Sequence, residues 1–360
     1  MTPEIKHRIG QIRRGEVPER YVKTALGLAP TDWKRYTFGD IYTERKEPGD
    51  ENLPLLMVSI HSGVSDGEVD AAELPKQVKR IEDKSQYKKA VSGDLVFNMM
   101  RAWQGAIGTV RTTGMVSPAY IVAEPNDKAY PLFMDYYSRT PQMINQLDRQ
   151  SYGVTDFRKR LYWDSFAPIG CILPPIEEQQ KIATILTTQD RVIELKEKRL
   201  AEKQRQKKYL MQQLLTGKKR LPGFNGAWKT DCLDKLFFER KETNCENIEM
   251  LAITGTQGII PRKELDLKDN SSEDKSKYLR VCVGDIGYNT MRMWQGVSAY
   301  SNYEGIVSPA YTILKPSSSI NAKYFAYLFK MSEIVFLFYR FSQGLVDDTR
   351  NLKYENFKKI

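Results

Sequence analysis

The sequence is poor in the residues that most enzymes use for covalent, metal or acid–base chemistry. Its 360 residues include two histidines, His7 and His61, neither with a metal-ligand neighbour, so zinc hydrolysis and histidine catalysis have little to work with. The four cysteines, Cys171, Cys232, Cys245 and Cys282, are scattered without a C-x-x-C pair. That leaves no zinc ribbon or disulfide framework to read and fits a reducing cytoplasm. No G-x-S-x-G elbow, G-x-x-x-x-G-K-[ST] phosphate loop or G-x-G-x-x-G fingerprint occurs. No run approaches the ~18 uninterrupted apolar residues of a membrane helix. The opening MTPEIKHRIGQIRR lacks the apolar core of a signal peptide, so neither a membrane span nor export is expected.

Positive charge is present in excess. The formal net charge of +10 and a pI near 9.2 point toward a polyanionic partner, nucleic acid first among them. The most informative feature, however, is a duplication. Residues 93–125, GDLVFNMMRAWQGAIGTVRTTGMVSPAYIVAEP, and 284–316, GDIGYNTMRMWQGVSAYSNYEGIVSPAYTILKP, are identical at 15 of 33 positions without a gap. Upstream, Glu82-Asp83-Lys84-Ser85 and Tyr87 recur as Glu273-Asp274-Lys275-Ser276 and Tyr278, still 191 positions on. Further back, Trp33-Lys34 and Glu44-Arg45-Lys46-Glu47 recur as Trp228-Lys229 and Glu239-Arg240-Lys241-Glu242, now offset by 195, so the second copy is four residues shorter between them. Downstream, Ser151, Gly153, Asp156, Leu161 and Phe166 recur as Ser342, Gly344, Asp347, Leu352 and Phe357. A repeat near 190 residues means two domains rather than a solenoid or propeller.

Between the copies, Pro174-Pro175 and the acidic Glu177-Glu178 open a helix that Gly217 and the following Lys218-Lys219-Arg220 close, about 40 residues later. Its apolar positions Ile182, Leu186, Ile193, Leu200, Leu210 and Leu214 form the narrow stripe of a coiled-coil seam. The N-terminus resembles the end of that helix, with Ile12, Gly15 and Pro18 placed like Leu214, Gly217 and Pro222. The boundaries read as 1–29, a helical lead-in; 30–173, the first domain; 174–217, the helix; and 218–360, the second domain. Within each copy, strands are expected around the G-D-x-x-x-N and V-S-P-A-Y blocks, with Pro118 and Pro309 at a strand edge or bulge. One helix is expected to follow in each, near 131–147 and 322–339. The class is α+β. Residues 48–81 and 243–272 differ most between copies and read as loops, where base readout would most naturally sit.

Two repeated constellations suit DNA. In Arg101-x-Trp103-Gln104-Gly105 and Arg292-x-Trp294-Gln295-Gly296, arginine forks onto phosphate or guanine, glutamine pairs with adenine edges, and the tryptophan reads as a structural anchor. In the second, Ser151, Thr155, Arg158 and Lys159, with Ser342 and Arg350 in the other copy, surround a glycine as a phosphate-gripping loop requires. A competing reading makes Glu82-Asp83-Lys84 and Glu273-Asp274-Lys275 a metal-dependent nuclease motif, though a metal site needs converging ligands rather than one tripeptide.

Taken together, the run Leu173-Pro174-Pro175-Ile176-Glu177-Glu178-Gln179-Gln180-Lys181-Ile182, the Leu214-Leu215-Thr216-Gly217 helix end and the repeated G-D-x-x-x-N and Ser-x-Gly blocks resemble the specificity (S) subunits of Type I restriction–modification systems, over essentially the whole chain. The resemblance implies a non-catalytic reader of double-stranded DNA with two target recognition domains separated by a long coiled-coil-like helix, each domain binding one half of a bipartite site. It implies methyltransferase (M) subunits docked on the helix seam and restriction/translocase (R) subunits joining them. S-adenosylmethionine, ATP and Mg²⁺ then belong to those partners, and this subunit carries no cofactor. The resemblance also implies a second long helix after the second domain, whereas the sequence stops at Ile360, the counterpart of Ile169. The expectation is therefore an unpaired helix able to recruit an M subunit or a second S chain.

Overall fold

The computed structural model describes residues 2–24, 27–50, 52–61, 63–66, 86–155, 158–245, 248–255, 257–265 and 274–360. The chain folds as two compact units, Met1–Leu195 and Lys196–Ile360, with the division falling at residue 195 of the sequence.

Each unit is built on a four-stranded antiparallel sheet of the same order. In the first it runs Tyr42–Glu44, Tyr120–Pro125, Leu95–Asn98, Ile107–Thr109; in the second Phe237–Glu239, Tyr311–Pro316, Ile286–Asn289, Ser298–Tyr300. Period-two alternation makes the sheet two-sided. Leu95 and Phe97 face a helical core with Phe38, Phe133, Leu147 and Phe166, while Val96 and Val122 face a smaller core with Leu56 and Val58. The second unit repeats this with Ile286 and Tyr288 on the helical side and Ile313 on the other. At Gly287, the counterpart of Val96, an added Cβ would lie 2.4 Å from Ile253 Cδ1, so isoleucines fill the space that valine fills in the first copy.

Three expectations are corrected. Pro118 lies at neither strand edge nor bulge but in the turn between Gly114–Val116 and Tyr120–Pro125, closed by Tyr120 N–H to Ser117 O at 3.0 Å; Pro309 occupies the same turn, closed from Tyr311 to Ser308. Proline's fixed φ suits that corner better than a ladder it cannot donate to. The single helix expected after the sheet is two in each unit: Pro131–Tyr137 and Pro141–Gln150, then Ala322–Leu328 and Ser332–Phe341. In the first unit Thr140 caps the second segment by accepting from Met143 N–H, and Pro141 sits where no donor is needed. Finally, the divergent stretches are not all loop. They contain the equivalent hairpins Leu56–Ser59/Gly63–Asp66 and Leu251–Thr254/Gly258–Pro261, whose apolar residues fill the smaller cores. These hairpins keep the offset of 195, so the four-residue difference falls between 67–81 and 262–272.

The long helix is Ile176–Leu214, 39 residues. Each unit grips its own part. At the start, the buried Gln179 amide donates to the carbonyls of Lys128 and Pro174 and accepts from Tyr130 N–H, all at 2.8–2.9 Å. Ala183 joins the core, Ile182 packs against it, and Tyr136 donates to Asp190. In the second unit Tyr324 donates to Leu215 O, and Leu210, Met211 and Leu214 line an apolar hollow with Tyr327. Of the seam positions, then, Ile182 serves its own domain, Leu186 is half-buried and Leu214 lines the hollow, while Ile193, Leu200 and Leu210 are exposed. The helix at Pro3–Arg13 ends, like the long one, beside a left-handed glycine, Gly15 matching Gly217.

Candidate nucleic-acid interface

A buried ion pair braces the sheet beneath the site. Arg45 donates from two nitrogens to Asp94, at 2.7 and 3.1 Å, and Arg240 does the same to Asp285 at the same distances. Both carboxylates are almost wholly buried, and each also accepts a backbone N–H, from Val91 or Cys282. Burial pushes the Asp94 carboxyl up while Arg45 pulls it down. The pairs join two repeated blocks, the arginine of E-R-K-E with the aspartate of G-D-x-x-x-N. Sequence reasoning singled out both blocks without pairing them; the signal was that they are duplicated together.

The asparagine of the second block starts the turn that carries the candidate residues. Asn98 Oδ1 accepts from Met100 N–H at 2.9 Å, and Asn289 Oδ1 from Met291 N–H at 3.0 Å. A single 3₁₀ turn follows, Ala102–Gln104 or Met293–Gln295, and ends on a left-handed glycine, Gly105 at φ 98° or Gly296 at φ 79°. Side chains rarely adopt that backbone, which accounts for the glycine. Trp103 is half-buried and its indole donates to Met100 O; Trp294 donates to Met291 O, both at 3.0 Å. The tryptophans are anchors.

The turn thus uses the asparagine, tryptophan and glycine of the motif internally and leaves the repeated methionine, Met100 or Met291, and two polar side chains exposed. Arg101 and Gln104 are exposed, as are Arg292 and Gln295, and no side-chain partner holds any of the four among the described residues.

The structure brings the second constellation against the first. Leu161 N–H donates to Met99 O and Leu352 N–H to Thr290 O, tying the end of the Ser-x-Gly loop to the start of the turn in each unit. The cation at position 159 or 350 then closes onto the aromatic face. Lys159 pairs with Asp148 at 2.8 Å and lies 5.0 Å over the Trp103 ring. Arg350 lies 3.9 Å over Tyr339, pairs with Asp347 and donates to the Tyr339 hydroxyl; Tyr339 in turn packs edge-on to Trp294. Both cations therefore position the turn, a role the phosphate-gripping reading missed. Ser151 and Ser342 are corrected likewise: their hydroxyls donate at 2.7 Å to Leu147 O and Phe338 O, and Ser151 is buried, so they finish the preceding helices rather than face outward. Thr155 and Arg158 remain exposed. One further support was not visible in the sequence. Lys330 donates to Gly296 O at 2.6 Å, and burial pushes its ammonium pKa down.

Of the acidic tripeptides, Glu82, Asp83, Lys84 and Glu273 lie outside the described residues. Asp274 caps a turn by accepting from Ser276 N–H at 2.9 Å. Among the described residues no three His, Cys, Asp or Glu side chains are grouped to hold a metal ion, and no helix is long and apolar enough to cross a membrane.

Residues 69–205, the later part of the first domain and most of the long helix, match the family model described as the Type I restriction modification DNA specificity domain. Similar solved structures include the S subunit of a Type I restriction–modification system from M. genitalium, with 10% identity, 91% of this chain and 83% of that chain covered, and a TM-score of 0.53. The HsdS subunit from Thermoanaerobacter tengcongensis is similar over 92% of this chain and 84% of that one, at 18% identity and a TM-score of 0.44. The α+β arrangement is that of the first of these, and the match to the DNA specificity domain is carried by residues 69–205.

Proposed function

We propose that the chain is the DNA-reading subunit of a Type I restriction–modification complex, each unit reading one half of a bipartite double-stranded site. The observation that carries this is the leftover pair. In both copies the asparagine, tryptophan and glycine of the repeated turn have structural duties, while its polar arginine and glutamine, the two side chains best shaped to read guanine, adenine or phosphate, stay exposed. A framework duplicated with its outward-facing polar pair intact fits two readers of one kind of polymer. The divergent 67–81 and 262–272, largely outside the described residues, are then the segments that make the half-sites different.

On this reading the subunit is non-catalytic and works in the cytoplasm. The exposed seam around Ile193, Leu200 and Leu210 docks the M subunits. R subunits join through that assembly, and S-adenosylmethionine, ATP and Mg²⁺ act there rather than here. Co-expression with the M subunits and mapping of methylated adenines tests it: a bipartite motif that appears only when this chain is present is the expected result. In the same assay R101A/Q104A degrades one half of the motif and R292A/Q295A the other; loss of neither half refutes the assignment of the turns.

A further inference from the structure

The Ser-x-Gly loop has a feature that its supporting contacts do not explain. Its ends close on themselves by paired backbone hydrogen bonds, Tyr152 with Arg160 at 3.1 and 2.9 Å and Gln343 with Asn351 at 2.8 and 2.8 Å. The glycine permits that closure. A Cβ on Gly153 would lie 2.4 Å from Arg158 O, and one on Gly344, which has φ 132°, would lie 2.7 Å from Thr349 O. Immediately after the glycine, at equivalent positions 191 apart, each loop holds an aliphatic side chain almost entirely in water: Val154 is 91% exposed and Leu345 is 99% exposed.

Tight exposed turns ordinarily take glycine, asparagine, aspartate or serine, because an aliphatic side chain there forgoes burial. One such residue is unremarkable on a protein surface, but the same one at the tip of the same self-closed loop in two diverged copies calls for a partner. The surroundings indicate which kind. Thr155 follows Val154 and Arg158 lies four residues on, both exposed, each loop's far end is bonded to the start of the turn that carries Arg101 or Arg292, and the second loop's Asp347 pairs with Arg350. An aliphatic side chain on a loop bonded to an arginine-bearing turn suits duplex DNA, where an aliphatic wedge packs on a base step or thymine methyl while the turn's arginine holds phosphate.

We infer that Val154 and Leu345 are apolar wedges that each unit presses against the bases of its DNA half-site, beside the Arg–Gln turn. The inference rests on the DNA-reading function proposed above. It is tested with the full chain on duplexes that the wild type enriches from a random-sequence pool. V154S/L345S is expected to weaken binding about tenfold or more for each loop. The slope of log affinity against log salt should stay unchanged, since no phosphate contact is removed, and V154I/L345I should retain affinity. Wild-type affinity in V154S/L345S overturns the wedge and leaves the DNA reading standing. If the wild type enriches no duplex, the reading itself falls and the wedge with it.

Discussion

The two units hold the same sheet and turn in place with different chemistry. Behind the first unit's sheet, Asp135 is buried and accepts from Thr109 N–H at 2.9 Å, with Arg111 at 2.7 Å and Arg139 at 3.6 Å. In the second unit that position is Ala326, and Phe325, Phe329 and Phe338 stand where the first has Met134, Ser138 and Leu147. Phe329 packs edge-on to Phe338 at 5.3 Å and to Phe357 at 5.8 Å. A polar network and an aromatic cluster thus support equivalent backbones. The turn itself, by contrast, keeps the same asparagine, arginine, tryptophan, glutamine and glycine in both copies.

One backbone bond recurs at the sheet margin. Lys34–Thr37 pairs antiparallel with Gly170–Leu173, and Phe38 N–H donates to Ile169 O at 2.9 Å. In the second unit Leu233 N–H donates to Ile360 O at the same distance.

These contrasts are open to direct attack. The largest effect is expected at the feature both units share. Asp94→Ala should cost about 3 kcal/mol, the low end for breaking a buried pair because Arg45 keeps Glu47 and Glu124, and Asp285→Ala a similar amount. Chemical denaturation should show each loss in its own unit; a loss below 1 kcal/mol in both, about the value of an exposed pair, would show that the pair braces nothing. Next, R101A/Q104A and R292A/Q295A should each weaken DNA binding about 10- to 100-fold while stability stays within about 0.5 kcal/mol, as expected for exposed side chains that contact only DNA. A matching fall in stability would make them framework instead. A smaller effect is expected where the units differ: Asp135→Ala should cost about 1–3 kcal/mol through the orphaned Thr109 N–H, visible as a lowered Tm of the first unit alone. No change would mean that water replaces the carboxylate without penalty.

Much of this arrangement was legible because duplication separates what is kept from what drifts. The long helix was readable from Pro174-Pro175 and Gly217, and the turn from its repeated letters. The break at Thr140 was not, because the apolar pattern runs through it and only the cap and Pro141 mark the stop. Ser151 misled because a hydroxyl before glycine looks the same whether it grips phosphate or bonds the carbonyl four residues back. The Arg45–Asp94 pair spans 49 positions, which no local pattern reveals. The hairpins at 56–66 and 251–261 hid in stretches whose letters diverged while their apolar alternation, and so their shape, did not.

The most direct test exchanges the divergent segments between units. With residues 262–272 placed at 67–81 and the M subunits supplied, methylated adenines are mapped across host DNA. If base readout lies in those segments, the motif should be altered in one half only and shifted toward the other half's sequence. A motif changed in both halves, or in neither, would contradict the account.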